Sequence, residues 1–154
     1  METRPIKPED RGALSKFFTL LKDRAIDKLF HPHPLTDESA LERASYKGKD
    51  FYAVLVDANQ IVGYGMLRGW DEGFEIPSLG IAIHPDLHRQ GKGRLMMNYL
   101  HDAARQRGAK KIRLKVCPHN RSAVNLYRKL GYDLIQETNG QYLIGFLDLM
   151  RIKK

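Results

Sequence analysis

The stretch from residue 74 to residue 108 constrains the fold most. FEIPSLGIAIHP (74–85) reads as an apolar strand, HRQGKGR (88–94) as a short basic loop, and GKGRLMMNYLHDAARQRG as a long amphipathic helix. Leu95, Met96, Tyr99, Leu100 and Ala103 make the apolar face of that helix, and Gly108 ends it. A strand feeding such a helix through a glycine-rich loop belongs in a layered α/β structure. The loop also has chemistry. Amides at a helix start are unpaired and the helix dipole favours negative charge there. Glycine admits a phosphate close to the backbone, and Arg89, Lys92 and Arg94 add charge. The loop is neither GxxxxGK[ST] nor the dinucleotide GxGxxG, since position 96 is Met. A pyrophosphate cradle and a merely basic surface turn both fit it.

The flanking periodicities fill in the order of elements. Residues 8–29 read as a helix with Leu14, Phe17, Phe18, Leu21 and Ala25 on one face. The prolines of FHPHPL (30–35) interrupt it. Thr36 caps a second helix that Gly48 stops. FYAVLVD (51–57) and IVGYGMLR (61–68) form a hairpin across Ala58, Asn59 and Gln60, and Pro77 implies a bulge or splayed edge in the next strand. KIRLKVC (111–117) is a strand, and NRSAVNLYRKLG a helix capped by Asn120 and ended by Gly131. YDLIQE and QYLIGFLDLM pair around Asn139-Gly140. With a weak first strand at Thr3 to Lys7, this predicts one mixed α/β domain over 1–154. Its central sheet is largely antiparallel, with six to seven strands and about four flanking helices.

Composition excludes several classes. The chain has 154 residues, one cysteine and a formal charge of +8. No internal disulfide is possible and no apolar run is long enough to span a membrane, so a cytoplasmic location is expected. METRPIKPED suits neither a signal nor a transit peptide. The charge favours an acidic partner, which nucleic acid, an anionic membrane or a phosphorylated cofactor would each satisfy.

Two segments together resemble a known family. IAIHPDLHRQGKGRLMM resembles motif A of the GNAT superfamily of N-acetyltransferases, and NRSAVNLYRKLGY resembles the motif that follows it. Their order and spacing match as well. The resemblance implies acetyl-CoA as co-substrate, with its pantetheine arm along Ile81, Ala82 and Ile83. Its pyrophosphate would rest on the amides of Arg89, Gln90, Gly91, Lys92, Gly93 and Arg94, with His88 as a hydrogen-bond donor to phosphate. Asn120 would meet the pantetheine or order the site. Tyr127 would be the general acid that protonates the departing thiolate, a task that suits a phenol; the competing account makes it a core aromatic beside Leu126 and Leu130. Such proteins are often dimers, so the resemblance allows a homodimer.

This chain departs from the pattern at two places. His88 stands where Gln or Arg is usual. The general base has no obvious residue either: Lys115 and the Pro77-Ser78 pair occupy positions where relatives carry Glu. Glu75 is the first candidate base, with His84 or a water chain second. The resemblance assigns FHPHPL to the acceptor pocket, against a rigid solvent-facing loop. It also groups Arg68, Trp70, Asp71, Glu72 and Glu75 near the acceptor, which suits an ammonium-bearing small molecule such as an amino sugar. Cys117 beside His119 is read as a buried inert thiol rather than a nucleophile. HPH and HPDLH lack a completing Cys or acidic cluster, so no metal is expected. The expected activity is acetyl transfer to a primary amine, without nucleic acid or membrane as partner. The alternatives are an acyl-CoA-binding protein without turnover, and a basic nucleic-acid module supported by the net charge and the RIKK tail.

Overall fold

The computed structural model describes residues 1–25 and 32–150. Its elements are β1 (Glu2–Pro5), α1 (Arg11–Asp23), α2 (Asp37–Ala44), β2 (Phe51–Asp57), β3 (Gln60–Arg68), β4 (Ser78–Ile83), α3 (Lys92–Gln106), β5 (Lys111–Val116), α4 (Arg121–Lys129), β6 (Asp133–Gln136) and β7 (Leu143–Asp148). One seven-stranded sheet runs in the order β1-β2-β3-β4-β5-β7-β6. Every pairing is antiparallel except β4 with β5. The expected mixed α/β class with a largely antiparallel sheet and four helices is what is found.

Several boundaries differ from the sequence reading: the second helix ends at Ala44, short of Gly48, the first strand spans Glu2–Pro5 rather than Thr3 to Lys7, and three others differ for a local reason. The first helix begins at Arg11, because Pro8–Asp10 is a 3-10 turn. That turn is tied by the Asp10 carboxylate, which accepts two hydrogen bonds from Arg4 at 2.8 Å and one from the Lys7 amide at 2.7 Å. Burial alone would raise the pKa of Asp10; the Arg4 and Lys7 contacts outweigh it and hold the carboxyl below its usual value. The expected helical residues 26–29 lie outside the described residues, as do Phe30, His31 and the RIKK tail. The β2–β3 link is a two-residue turn, with Ala58 and Asn59 both left-handed (φ 50° and 65°), and Gln60 already belongs to β3. Such a turn matches the twist of a hairpin. The strand expected over 74–85 shortens to Ser78–Ile83, since Pro77 has no amide to extend it.

Helices α3 and α4 cover one face of the sheet, where Met96, Met97 and Leu100 pack with Leu67, Leu79, Ile112 and Leu114. The approach is close because β3 has no side chain at Gly65: a Cβ there would lie 2.8 Å from the Met96 sulfur and 2.9 Å from Leu100 Cδ1. On the other face Leu14, Phe17, Phe18 and Leu21 of α1 pack with Tyr52, Val54, Tyr64 and Met66. Among the described residues, no helix is long and apolar enough to cross a membrane.

Candidate active site

The site is made by a break in the sheet. β4 pairs with β3 over all six of its residues, but with β5 only at Ser78 and Leu79. The Arg113 amide donates to the Pro77 carbonyl at 2.9 Å, and the His84 amide to the Val62 carbonyl at 2.8 Å. These two bonds set the parity: odd-numbered residues of β4 turn their backbone groups toward β5, even-numbered ones toward β3. Beyond Leu79 the strands separate, so Ile81 and Ile83 turn their backbone groups into the gap. The Ile83 carbonyl accepts from His88 Nε2 at 3.0 Å. A cleft of about 370 Å³ opens at the gap, lined by Gly80, Ile81, Val116, Asn120 and Tyr127 and by Arg68, Glu72, Phe74, Ser78, Arg113 and Lys115.

The loop that follows β4 fits a phosphate cradle. Gly91 is the N-cap of the 15-residue α3 with φ 78°, and Arg89 is left-handed too (φ 65°). Gly91 faces open space, while a Cβ on Gly93 would lie 3.1 Å from Leu126 of α4. The first-turn amides of α3 therefore open outward on a backbone that only glycine adopts cheaply at position 91. Arg89, Gln90 and Gly91 are exposed, and Lys92, Gly93 and Arg94 follow in the first turn. His88 is turned back onto β4, where it anchors the loop. Ala82, even-numbered, is buried against the α1 and α2 face.

Tyr127 of α4 lines the cleft with 7 % of its surface exposed. Burial pushes its phenol well above the ordinary value, so it holds its proton throughout the physiological range. Its ring packs 5.8 Å from that of Tyr132, whose hydroxyl lies 2.7 Å from His101 Nε2. Asn120 caps α4, its Oδ1 accepting from the Ala123 amide at 3.4 Å, and also borders the cleft.

The other sequence candidates are dispersed. Glu75 is exposed and does not line the cleft; Glu72 is the carboxylate that does. His84 accepts from the Asp86 amide at 3.1 Å and caps a 3-10 turn (Pro85–Leu87). Trp70 turns away from the acceptor end, into the core beneath α3, with Arg107 6.0 Å from its ring. Asp71 accepts from the Tyr46 hydroxyl and the Lys49 amide, fastening the loop to the end of α2. Cys117 is half-buried, not fully buried, and lies outside the cleft lining. Of FHPHPL, Pro32 lines the cleft and would lie 3.1 Å from a Cβ on Gly80. His33 is buried behind it, its Nδ1 donating to the Pro34 carbonyl at 2.7 Å and its Nε2 accepting from the Tyr64 hydroxyl at 2.9 Å. Among the described residues, no three His, Cys, Asp or Glu side chains are grouped to hold a metal.

Arg113 and Lys115 are not among the sequence candidates, although alternation in KIRLKV places Lys111, Arg113 and Lys115 on one face of β5. That periodicity was the available signal.

The chain belongs to the acetyltransferase (GNAT) family, whose model matches residues 17–132. Over 59 residues it is 37% identical to the [ribosomal protein bS18]-alanine N-acetyltransferase of Escherichia coli strain K12, covering 38% of this chain and 40% of that protein. It is 29% identical over 97 residues to the streptothricin acetyltransferase of Streptomyces lavendulae, covering 62% of this chain and 50% of that protein. The matches thus span half or less of the length of these relatives. The yncA structure from Salmonella typhimurium, solved with its cofactor acetyl-CoA, superposes with a TM-score of 0.76 at 16% identity, over 100% of this chain and 96% of that one.

Proposed function

We propose that this chain transfers the acetyl group of acetyl-CoA to a primary amine of a small molecule by direct attack. The observation that carries the reading is the convergence, in one cleft, of an unpaired β4 edge, the Asn120 cap and the buried, protonated Tyr127. The residues present fit the co-substrate. The outward amides of residues 89–94 would hold its pyrophosphate, and the Ile83 amide and Ile81 carbonyl its pantetheine arm.

When bound, acetyl-CoA supplies an acetyl group activated as a thioester. The chain's own residues do the rest. The Ile81 amide, which borders the cleft beside Tyr127, donates to negative charge gathering on the acyl oxygen; one such donor is worth about 3–4 kcal/mol in related chemistry. Tyr127 holds a proton at its hydroxyl and gives it to the departing sulfur. Glu72, rather than Glu75, faces the entering ammonium and takes its proton, directly or through water. A cleft of about 370 Å³ suits a small acceptor, and a relative named streptothricin acetyltransferase supports that class. An amino sugar remains within it, with Phe74 rather than Trp70 as the aromatic wall.

The test is CoA release, followed with a thiol-reactive chromophore, over a panel of amines. Tyr127→Phe is expected to lower kcat by about a hundredfold or more with acetyl-CoA affinity unchanged. Equal loss of both would make Tyr127 a packing residue.

A further inference from the structure

Building on that reading of the cleft, we propose that the acceptor carries an anionic group, a carboxylate or a phosphate, held between Arg68 and Arg113 above Ser78. Register puts these three residues in one row. Arg68 of β3 lies opposite Ser78 of β4, and Ser78 lies opposite Arg113 of β5. Side chains opposite one another on neighbouring strands share a face, and all three line the cleft. Two strand spacings set the arginine backbones about 10 Å apart, a span that two such long side chains can close on one small anion. Lys115, two residues along β5, adds a third cation to the same wall.

The arginines keep donors to spare. Arg68 Nη1 donates to the Pro32 carbonyl at 2.6 Å, and Arg113 Nη1 to Ser78 Oγ at 3.4 Å. Neither forms an ion pair among the described residues, whereas Lys115 Nζ sits 3.5 Å from Glu137. A guanidinium has five N–H donors in a planar fork suited to carboxylate or phosphate. Against Arg68, Arg113 and Lys115, the lining sets Glu72 as its carboxylate.

These cations do not serve the phosphates of acetyl-CoA. The loop that would hold the pyrophosphate follows Ile83, five residues and about 16 Å along β4 from Ser78. The two positive regions sit at opposite ends of one strand, so the row at Ser78 faces whatever enters from the acceptor side. A diamine would bring a second ammonium against the two arginines. An amine with an acid at its far end would satisfy the row and leave its ammonium for Glu72.

The experiment compares matched acceptors: ethanolamine, phosphoethanolamine, β-alanine and 1,3-diaminopropane, together with glucosamine and glucosamine 6-phosphate. CoA release gives kcat/KM for each. Phosphoethanolamine, β-alanine or glucosamine 6-phosphate is expected to exceed its neutral counterpart by about ten- to a hundredfold. The two ethanolamine-sized acids decide between phosphate and carboxylate. In Arg68→Gln and Arg113→Gln that preference is expected to fall toward one, with partial rescue by Arg113→Lys. Neutral amines or the diamine turning over as well as the acids would overturn the proposal while leaving acetyl transfer intact. Calorimetric titration of glucosamine 6-phosphate into the acetyl-CoA-loaded protein separates the remaining case. Arginine-dependent binding without turnover would uphold the anion seat and overturn the transfer reading; absence of both binding and preference would overturn the seat.

Discussion

His33 gives the stability of this chain a pH dependence whose size follows from its surroundings. The ring is buried between Phe18 and Tyr64, and it lies within the field of Arg43 from α2 and Arg68 from β3. Burial, foremost, brings its pKa from 6.5 down to about 4; the hydrogen bond to the Pro34 carbonyl opposes it, and Arg43 and Arg68 add smaller lowering effects. The native state thus keeps the ring neutral where the unfolded chain would protonate it. Between pH 6.5 and 4 the unfolded state binds the extra proton, so stability is lost as pH falls. Each tenfold in proton affinity is worth about 1.4 kcal/mol. The loss should reach about 2 kcal/mol by pH 5 and about 3 kcal/mol near pH 4. His33→Gln keeps an acceptor for the Tyr64 hydroxyl but cannot titrate. Guanidinium unfolding of both proteins from pH 7.5 to pH 5 isolates the effect, because carboxylates such as Asp10 contribute equally to the two. The advantage of the wild type over His33→Gln is expected to shrink by about 2 kcal/mol over that interval. Parallel curves would refute the reasoning. The consequence reaches the site, since Pro32, next to His33, covers Gly80 and accepts from Arg68.

Other substitutions check separate parts of the account. Gly91→Ala meets no steric obstacle but forces an alanine into φ 78°, so it is expected to cost about 1–2 kcal/mol of stability and to weaken acetyl-CoA binding in calorimetry. Asn120→Ala removes the α4 cap and should lower stability by about 1 kcal/mol, read by denaturant midpoint. Glu72→Gln is expected to flatten the pH–rate profile of acetyl transfer and Glu75→Gln to leave it unchanged; the opposite pattern would restore Glu75 as the base. Leu100→Ala empties a fully buried position beneath α3 and should cost about 2–5 kcal/mol in chemical unfolding.

The elements legible in the sequence are those whose signals are local. The α3 stripe, the Asn120 cap, the Gly131 stop and the alternation of β5 each lie within a few residues of chain. The acceptor end was harder to read because its residues come from a loop with no period. Between Arg68 and Ser78, only the fold shows that Glu72 faces the cleft, that Trp70 joins the core with Phe51 and Arg107, and that Glu75 points to solvent. The separation of β4 from β5 beyond Leu79 has no local signal, since Pro77, the residue that implies a splayed edge, lies at the end where the two strands pair. Arg68 and Arg113 stand 45 positions apart, and only strand register brings them to one row. His33 reads as part of a proline loop at the acceptor pocket or facing solvent, and its burial against Tyr64 depends on α1 closing over it.

The most direct measurement of the central claim is the melting temperature of the chain with acetyl-CoA, CoA, ATP or duplex DNA, each at two salt concentrations. At about 100 times its dissociation constant, a ligand stabilises the native state by about 2.7 kcal/mol, a shift of several degrees for a chain this size. That shift is expected with acetyl-CoA and CoA, and little with ATP or DNA. A shift with DNA alone, fading as salt rises, would contradict that claim and reduce HRQGKGR to a basic turn.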